Sequence, residues 1–165
     1  NIIHNTINNN TINNTINNTI HINNYGCENI TYLNKNYLNN LLESAFTALP
    51  KLIENIHFNP AHPENHNIKI TNKKQPFVKV LKDDQWQLQD KQETLDHLLD
   101  EKYHILENHY AKLEEKEKVT NKMEDVMTRF RDRYTDDKDL QKKLNKETEL
   151  LIINKGECSK LQDVK

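Results

Sequence analysis

The chain has 165 residues, of which 35% are hydrophobic and 29% are charged, with a formal net charge of -2. This length suffices for one modest hydrophobic core, but no apolar run approaches the roughly 20 residues of a membrane span. Two Cys and two Gly are too few for a disulfide scaffold, a four-ligand zinc knuckle or a glycine-rich phosphate loop. No secretory signal pattern is present. Because the first residue is Asn rather than Met, we expect a fragment or a processed product.

Asn is strongly concentrated at one end of the chain: there are 25 in total, and 16 of them fall in the first 40 positions. Residues 1–24 repeat Thr-Ile-Asn-Asn units at a spacing near four, which is too long for a helix. In a strand, this spacing gives one face a ladder formed by Ile12, Ile16, Ile20 and Ile22. Identical strands from several chains can stack such ladders. We therefore predict an intermolecular β segment, with a three-chain stalk as the preferred form; a disordered Asn-rich linker and a coiled-coil stalk are the alternatives.

Two short helices are predicted next. Asn34 or Asn36 is placed to cap the first, whose apolar stripe consists of Tyr37, Leu38, Leu41, Leu42, Ala45 and Phe46. The second begins near Thr47 with Pro50 in its first turn, and its inward positions are Leu49, Leu52, Ile53 and Ile56. A helix-turn-helix is conceivable, but Lys51 is the only Lys or Arg of the second helix, so nothing marks it as a DNA recognition helix.

The densest group of polar side chains follows these helices, in a stretch that Pro60 and Pro63 keep out of any helix. We define the polar cluster as His57, Asn59, His62, Asn65, His66 and Asn67. One hypothesis is a metal site with His57, His62 and His66 as ligands, serving a nuclease or hydrolase. The other is a proline-fixed loop whose Asn and His side chains bind its own backbone.

A small antiparallel sheet is predicted from residues 68–71 and a hairpin over residues 77–89, with its turn at residues 82–85. Trp86 and Leu88 share one face of the hairpin, so we predict that Trp86 anchors the core, with a ligand platform as the alternative. This stretch also contains a run of Lys before any acidic residue: Lys69, Lys73, Lys74, Lys79 and Lys82. A solvated strand face is the favoured interpretation, and a nucleic-acid patch is the alternative.

The remainder is predicted to be helical and highly charged. Asp90 is placed to cap a first helix, with an apolar stripe of Leu95, Leu98, Leu99, Tyr103, Leu106, Tyr110 and Leu113. A continuation or second helix carries Val119, Met123, Val126, Met127, Phe130 and Tyr134. A third begins after Asp136 and Asp137 and is expected to end at Gly156.

Two motifs support a resemblance: INNYGCENITYL, and the segment containing HFNPAHPENHNIKI. Over residues 20–115 the chain resembles the C-terminal module of giant-virus proteins of the mimivirus kind, which commonly follows a Cys/His zinc finger and an Asn-rich linker. The resemblance implies a viral protein of the host cytoplasm, virus factory or virion, and a parent that binds nucleic acid through a missing N-terminal domain. Cys27 and Cys158 have no partner Cys at short spacing, so no such finger lies in this chain.

Together these patterns predict an α+β protein with three parts: an Asn-rich repeat segment (1–24), a helix, loop and hairpin module (25–115), and a charged helical tail (116–165). We expect a non-enzymatic module for homo-oligomerisation, with no cofactor and no membrane contact. Two alternatives are a metal-dependent nuclease or hydrolase centred on the polar cluster, and a nucleic-acid-binding module using the Lys run.

Overall fold

The computed structural model describes residues 20–159, and side chains as far as residue 156. The described α-helices and strands are α1 (Lys35–Leu42), α2 (Ala48–His57), β1 (Ile68–Lys69), β2 (Phe77–Lys82), β3 (Gln85–Asp90), α3 (Lys91–Glu114), α4 (Asn121–Asp136) and α5 (Lys138–Ser159). The predicted α+β class is confirmed. Within residues 20–159, no helix combines the length and apolar character that a membrane crossing requires.

Both short helices form close to their predicted positions. The Asn34 side chain caps α1 by accepting a hydrogen bond from the Tyr37 N–H at 2.8 Å. Helix α1 stops at Leu42, and Ala45 lies in a separate 3-10 turn, Ala45–Thr47. The inward positions of α2 are fully buried, as its apolar stripe predicts: Leu49, Leu52, Ile53 and Ile56.

The predicted antiparallel sheet forms with the strand order β1-β2-β3, although β1 is only two residues long. Asp83 and Asp84 connect β2 to β3, with φ values of 52° and 58°. Two positive φ values give a type I′ turn, whose twist matches that of the flanking strands. Ile68, Val78 and Val80 share the inner face and are buried in the core.

The predicted role of Trp86 is wrong. Trp86 and Leu88 lie on the outer sheet face and are 38% and 61% exposed. The register pairs Val80 with Gln87 and Val78 with Gln89, so it is the Gln side of β3 that shares the inner face. Because β3 is an edge strand, its inner-face Gln side chains extend beyond the core into solvent.

The last two helices belong to the core rather than to a separate tail. Met123, Met127 and Phe130 of α4 join the same buried cluster as the side chains of α1 to α3. Leu140, Leu144 and Ile152 of α5 are also members of it. The boundary predicted at residue 115 is therefore not a boundary of packing. The predicted end of α5 at Gly156 is also wrong, since the helix continues to Ser159.

The N-terminal segment is only partly covered. Ile12 and Ile16 lie outside the described residues, whereas residues 20–24 are described and form neither helix nor strand. Ile20 is 54% exposed. We call residues 20–33, which run along the loop and the sheet before α1, the strap.

Candidate functional site

The strap crosses the fold at the polar cluster and at the end of β2. The backbone N–H of Asn23 donates to the Glu64 carbonyl at 2.7 Å, and that of Tyr25 donates to the Leu81 carbonyl at 2.8 Å. Tyr25 is buried with the core residues. An irregular segment needs such partners, because its backbone groups have no neighbours of their own in a helix or sheet.

Asn65 holds the strap through both the oxygen and the nitrogen of its side-chain amide. Its Oδ1 accepts from Asn23 Nδ2 at 3.1 Å and from the Asn29 N–H at 2.9 Å. Its Nδ2 donates to the Asn29 carbonyl at 2.7 Å. Asn65 is fully buried, and its pairing with both backbone groups of Asn29 gives each polar atom of the amide a partner without solvent.

Asn67 joins the strap to α2. Its Nδ2 donates to the Asn23 carbonyl at 3.2 Å and to Glu28 Oε1 at 2.8 Å. Its Oδ1 lies 2.9 Å from Nδ1 of His57, the last residue of α2. Asn67 is also fully buried, so one side chain links three segments that are distant in sequence.

His57 is a neutral, buried hydrogen-bond donor in this network. Since the Asn67 amide nitrogen is already donating, its oxygen faces the imidazole, and Nδ1 carries the hydrogen. Burial and the nearby Lys102 ammonium lower the pKa of His57 to about 4. Nε2 is buried and has no hydrogen-bond partner among the described residues.

The outer members of the polar cluster have different partners. The His62 ring stacks on Tyr32 with centroids 3.5 Å apart, and its Nδ1 lies 3.1 Å from Glu64 Oε1. His66 Nε2 donates to the Asn59 carbonyl at 3.0 Å. Asn59 Oδ1 accepts from the Ala61 N–H at 3.0 Å, in a local turn.

These contacts do not assemble the hypothetical metal site. His57 points to Asn67, His62 to Tyr32 and Glu64, and His66 to Asn59. In the described part of the chain, no group of three His, Cys, Asp or Glu side chains is placed to hold a metal ion. The geometry instead matches the hypothesis of a loop that binds backbone, with one extension: the bonded backbone belongs largely to the strap.

Sequence reasoning missed the strap residues that these side chains bind. Asn23 and Asn29 were part of a compositional bias, and nothing local distinguished Glu28 from a solvated acid. The sequence does contain one signal, an isolated Gly26 directly after Tyr25. In the structure Gly26 has φ of +87°, a conformation that favours Gly. Such a turn beside a lone aromatic residue is consistent with a segment that docks on a core.

The Lys run is distributed over several surfaces. Lys69 and Lys79 are paired in register on the outer sheet face, which we define as Lys69, Phe77, Lys79, Leu81, Trp86 and Leu88. Lys69 Nζ lies 3.6 Å from the centroid of the Trp86 ring, a cation-π contact across β2. Lys73 and Lys74 lie in the loop before β2, and Lys82 belongs to the opposite face.

Comparison with known proteins gave no match to any family model, curated protein or solved structure.

Proposed function

We propose that this chain is a non-enzymatic assembly module that forms homo-oligomers. The observation that supports it best is the use of the polar cluster. The amide groups of Asn65 and Asn67 form hydrogen bonds with Asn23, Glu28 and Asn29. The densest group of polar side chains therefore binds another segment of the same chain. These hydrogen bonds fix the point at which the Asn-rich segment leaves the folded unit.

A fixed exit point favours assembly through the segment that precedes it. A strand joined to a folded unit by a loose linker loses orientational freedom when it associates, whereas an anchored one has already lost part of that freedom. The ladder of Ile12, Ile16, Ile20 and Ile22 would then stack between copies. Several copies would multiply the valency of any domain fused to the module.

The test is the molar mass in solution by light scattering at micromolar concentration. We expect the full chain to exceed its monomer mass of 19.6 kDa, and the double variant Ile12→Asn with Ile16→Asn to form a smaller assembly. The matched control is Thr11→Asn with Thr15→Asn, which changes the polar face of the same predicted strand. A monomeric full chain would refute the proposal, and equal effects of the two variants would refute the ladder.

A second candidate function is the binding of single-stranded nucleic acid on the outer sheet face. Phe77, Trp86 and Leu88 are exposed there beside Lys69 and Lys79, and exposed aromatic rings with nearby cations suit stacked bases and phosphates. The chain has a single Trp, so its fluorescence reports directly on this face. We expect quenching by oligothymidylate that weakens with salt, by about 0.7 log units of affinity per log unit of salt for each phosphate contact.

The control for this candidate separates the outer face from the rest of the Lys run. Lys79→Glu should abolish the quenching, whereas Lys74→Glu in the loop should reduce it only slightly. Equal losses would indicate nonspecific attraction to Lys rather than a site. The viral origin, the host cytoplasm, virus factory or virion as the location, and nucleic-acid binding by a missing N-terminal domain stay predictions from the resemblance; immunolocalisation in infected cells would test the location.

A further inference from the structure

The outermost strand of the sheet, β3, is open along one side. It pairs only with β2 in the part of the chain that the structure describes. Its six residues are exposed, except that Gln89 is partly covered. An edge of this kind presents a row of unpaired N–H and C=O groups, and it is a template for pairing with another strand.

The register of β2 and β3 identifies which backbone N–H and C=O groups of β3 face away from β2. The N–H of Leu81 donates to the Asn67 carbonyl, and its C=O accepts from the Tyr25 N–H, so both point away from β3. Leu81 is opposite Trp86, and opposite residues in an antiparallel pair exchange either both hydrogen bonds or none. The N–H and C=O of Trp86 therefore face the open edge, and those of Leu88, two residues on, do the same.

The two edges of the sheet differ in how they are protected from pairing with another strand. Beyond β1, the sheet is covered by the strap, which bonds to Leu81, and by α5, whose Gly156 approaches Lys69. Over residues 85–89 the β3 side lacks the usual protection, because the sequence QWQLQ contains no charged residue and no Pro, and its pairing with β2 continues without a bulge from Lys82↔Gln85 to Phe77↔Asp90. Asp90, at the end of the strand, is its one charged residue.

The strand is also self-complementary. In an antiparallel two-fold arrangement with Gln87 opposite Gln87 of a second copy, Trp86 lies opposite Leu88 in both directions. The outward N–H and C=O groups of Trp86 and Leu88 then bond to each other, and Gln85 lies opposite Gln89. Sliding by two residues either way places Leu88 opposite Asp84 or Trp86 opposite Asp90. Of these three registers, only the one centred on Gln87 places both Trp86 and Leu88 opposite an apolar residue, although Asp84 then faces Asp90 at its ends.

We infer that two copies of this chain pair through β3 in this register, forming a continuous six-stranded sheet. This inference deepens the proposed assembly function and rests on it, but it uses a surface separate from the Ile ladder. The two interfaces can therefore fail independently. The partner is a second copy rather than an unrelated strand because both the polar and the apolar rows of β3 match themselves.

The sharpest test is a disulfide placed on the two-fold axis. In a background with Cys27→Ser and Cys158→Ser, Gln87→Cys brings two thiols together at a non-hydrogen-bonded pair, where Cα atoms are about 4.5 Å apart and a disulfide is allowed. The matched control is Gln85→Cys on the same strand, whose Cα atoms would lie about 14 Å apart. Under mild oxidation we expect nearly complete covalent dimer for the first variant and little for the second.

A second variant tests the backbone pairing itself. Leu88→Pro removes an N–H that faces the open edge, so the hairpin retains all its own bonds, whereas the dimer loses two. Leu88→Thr keeps the N–H and serves as the control. By light scattering we expect the Pro variant to lose the β3 dimer at concentrations where the Thr variant keeps it, while assembly through the ladder persists in both.

The outcomes separate this inference from the proposed function. If the full chain is oligomeric, but Gln87→Cys does not cross-link and Leu88→Pro has no effect, β3 pairing is refuted and assembly through the Asn-rich segment stands. If Gln85→Cys cross-links as readily as Gln87→Cys, the register is refuted. A chain that is monomeric at every concentration refutes both.

Discussion

Replacing Asn65 by Ala tests whether the polar cluster holds the strap. The substitution removes the hydrogen bonds to Asn23 Nδ2 and to both backbone groups of Asn29. Each bond contributes about 1 kcal/mol net. Asn29 is exposed, so its freed backbone groups regain water and add little further cost. We therefore expect the free energy of unfolding to fall by about 3 kcal/mol, which corresponds to a melting temperature about 6 to 12 °C lower.

The matched control is Asn59→Ala in the same loop. Among the described residues, its side chain bonds only to Asn55 and to the N–H of Ala61, and it is partly exposed, so we expect a loss of about 1 kcal/mol or less. Urea unfolding followed by circular dichroism measures both values. Hydrogen exchange adds a local measurement, since only Asn65→Ala should deprotect the Asn29 amide. Equal destabilisation by the two variants, or an unchanged exchange rate at Asn29, would refute the anchoring role.

Three further predictions concern the core, the titration of the network and the hairpin. Burial lowers the folded-state pKa of His57 to about 4, below its ordinary value near 6.5. The unfolded chain therefore binds this proton first, so the free energy of unfolding should fall as the pH drops from 6.5 towards 4. His57→Gln should flatten this part of the pH profile in urea titrations. Phe130→Ala, at a fully buried site, should lower the free energy of unfolding by about 3 to 5 kcal/mol and leave a single transition. The control Leu150→Ala, at an exposed site, should lower it by less than about 1 kcal/mol. A separate early transition for α4 and α5 would contradict a shared core. Asp84→Gly relieves the positive φ of 58°, a conformation that favours Gly, and should raise the melting temperature. The same change at the exposed Asp96, inside α3, should lower it, because Gly inside a helix costs about 0.5 to 1 kcal/mol relative to Ala.

Most of the local structure could be predicted from the sequence, because it depends on residues that are close together in the chain. The cap at Asn34, the burial of Leu49 and Ile53, and the hairpin with Asp83 and Asp84 in its turn follow from short-range patterns. Each of these patterns depends on residues within a few positions of one another. Tertiary packing left them in place, because the apolar stripes they define are the ones that the core buries.

The orientation of the hairpin could not be predicted in the same way. Alternation shows which residues share a face, but not which face turns inward. Both faces of β2 carry apolar residues, so β2 does not identify the inner face. The aromatic side chain of Trp86 favoured the face that the structure turns outward. The structure buries Val78 and Val80 instead, because Ile68 of β1 extends that face and joins it to the helices.

The polar cluster was recognised as unusual, but its role depends on contacts that no spacing rule contains. Asn65 meets Asn29 across 36 positions, and Asn67 meets Asn23 across 44. The three His residues suggested a metal site because they are close in sequence. In the fold, His57 is on the buried end of α2, whereas His62 and His66 lie on the partly covered loop.

The strap also determines how tension enters the molecule. Asn23 is held through its N–H, its side chain and its carbonyl, by bonds to Glu64, Asn65 and Asn67. A pull on the chain before Ile20 therefore meets these bonds before it reaches any helix. We expect the polar cluster to act as a mechanical clamp, so that an assembly joined through its N-terminal segments can bear load while the helical core stays folded. Single-molecule extension of the Asn65→Ala variant should show the strap detaching at lower force.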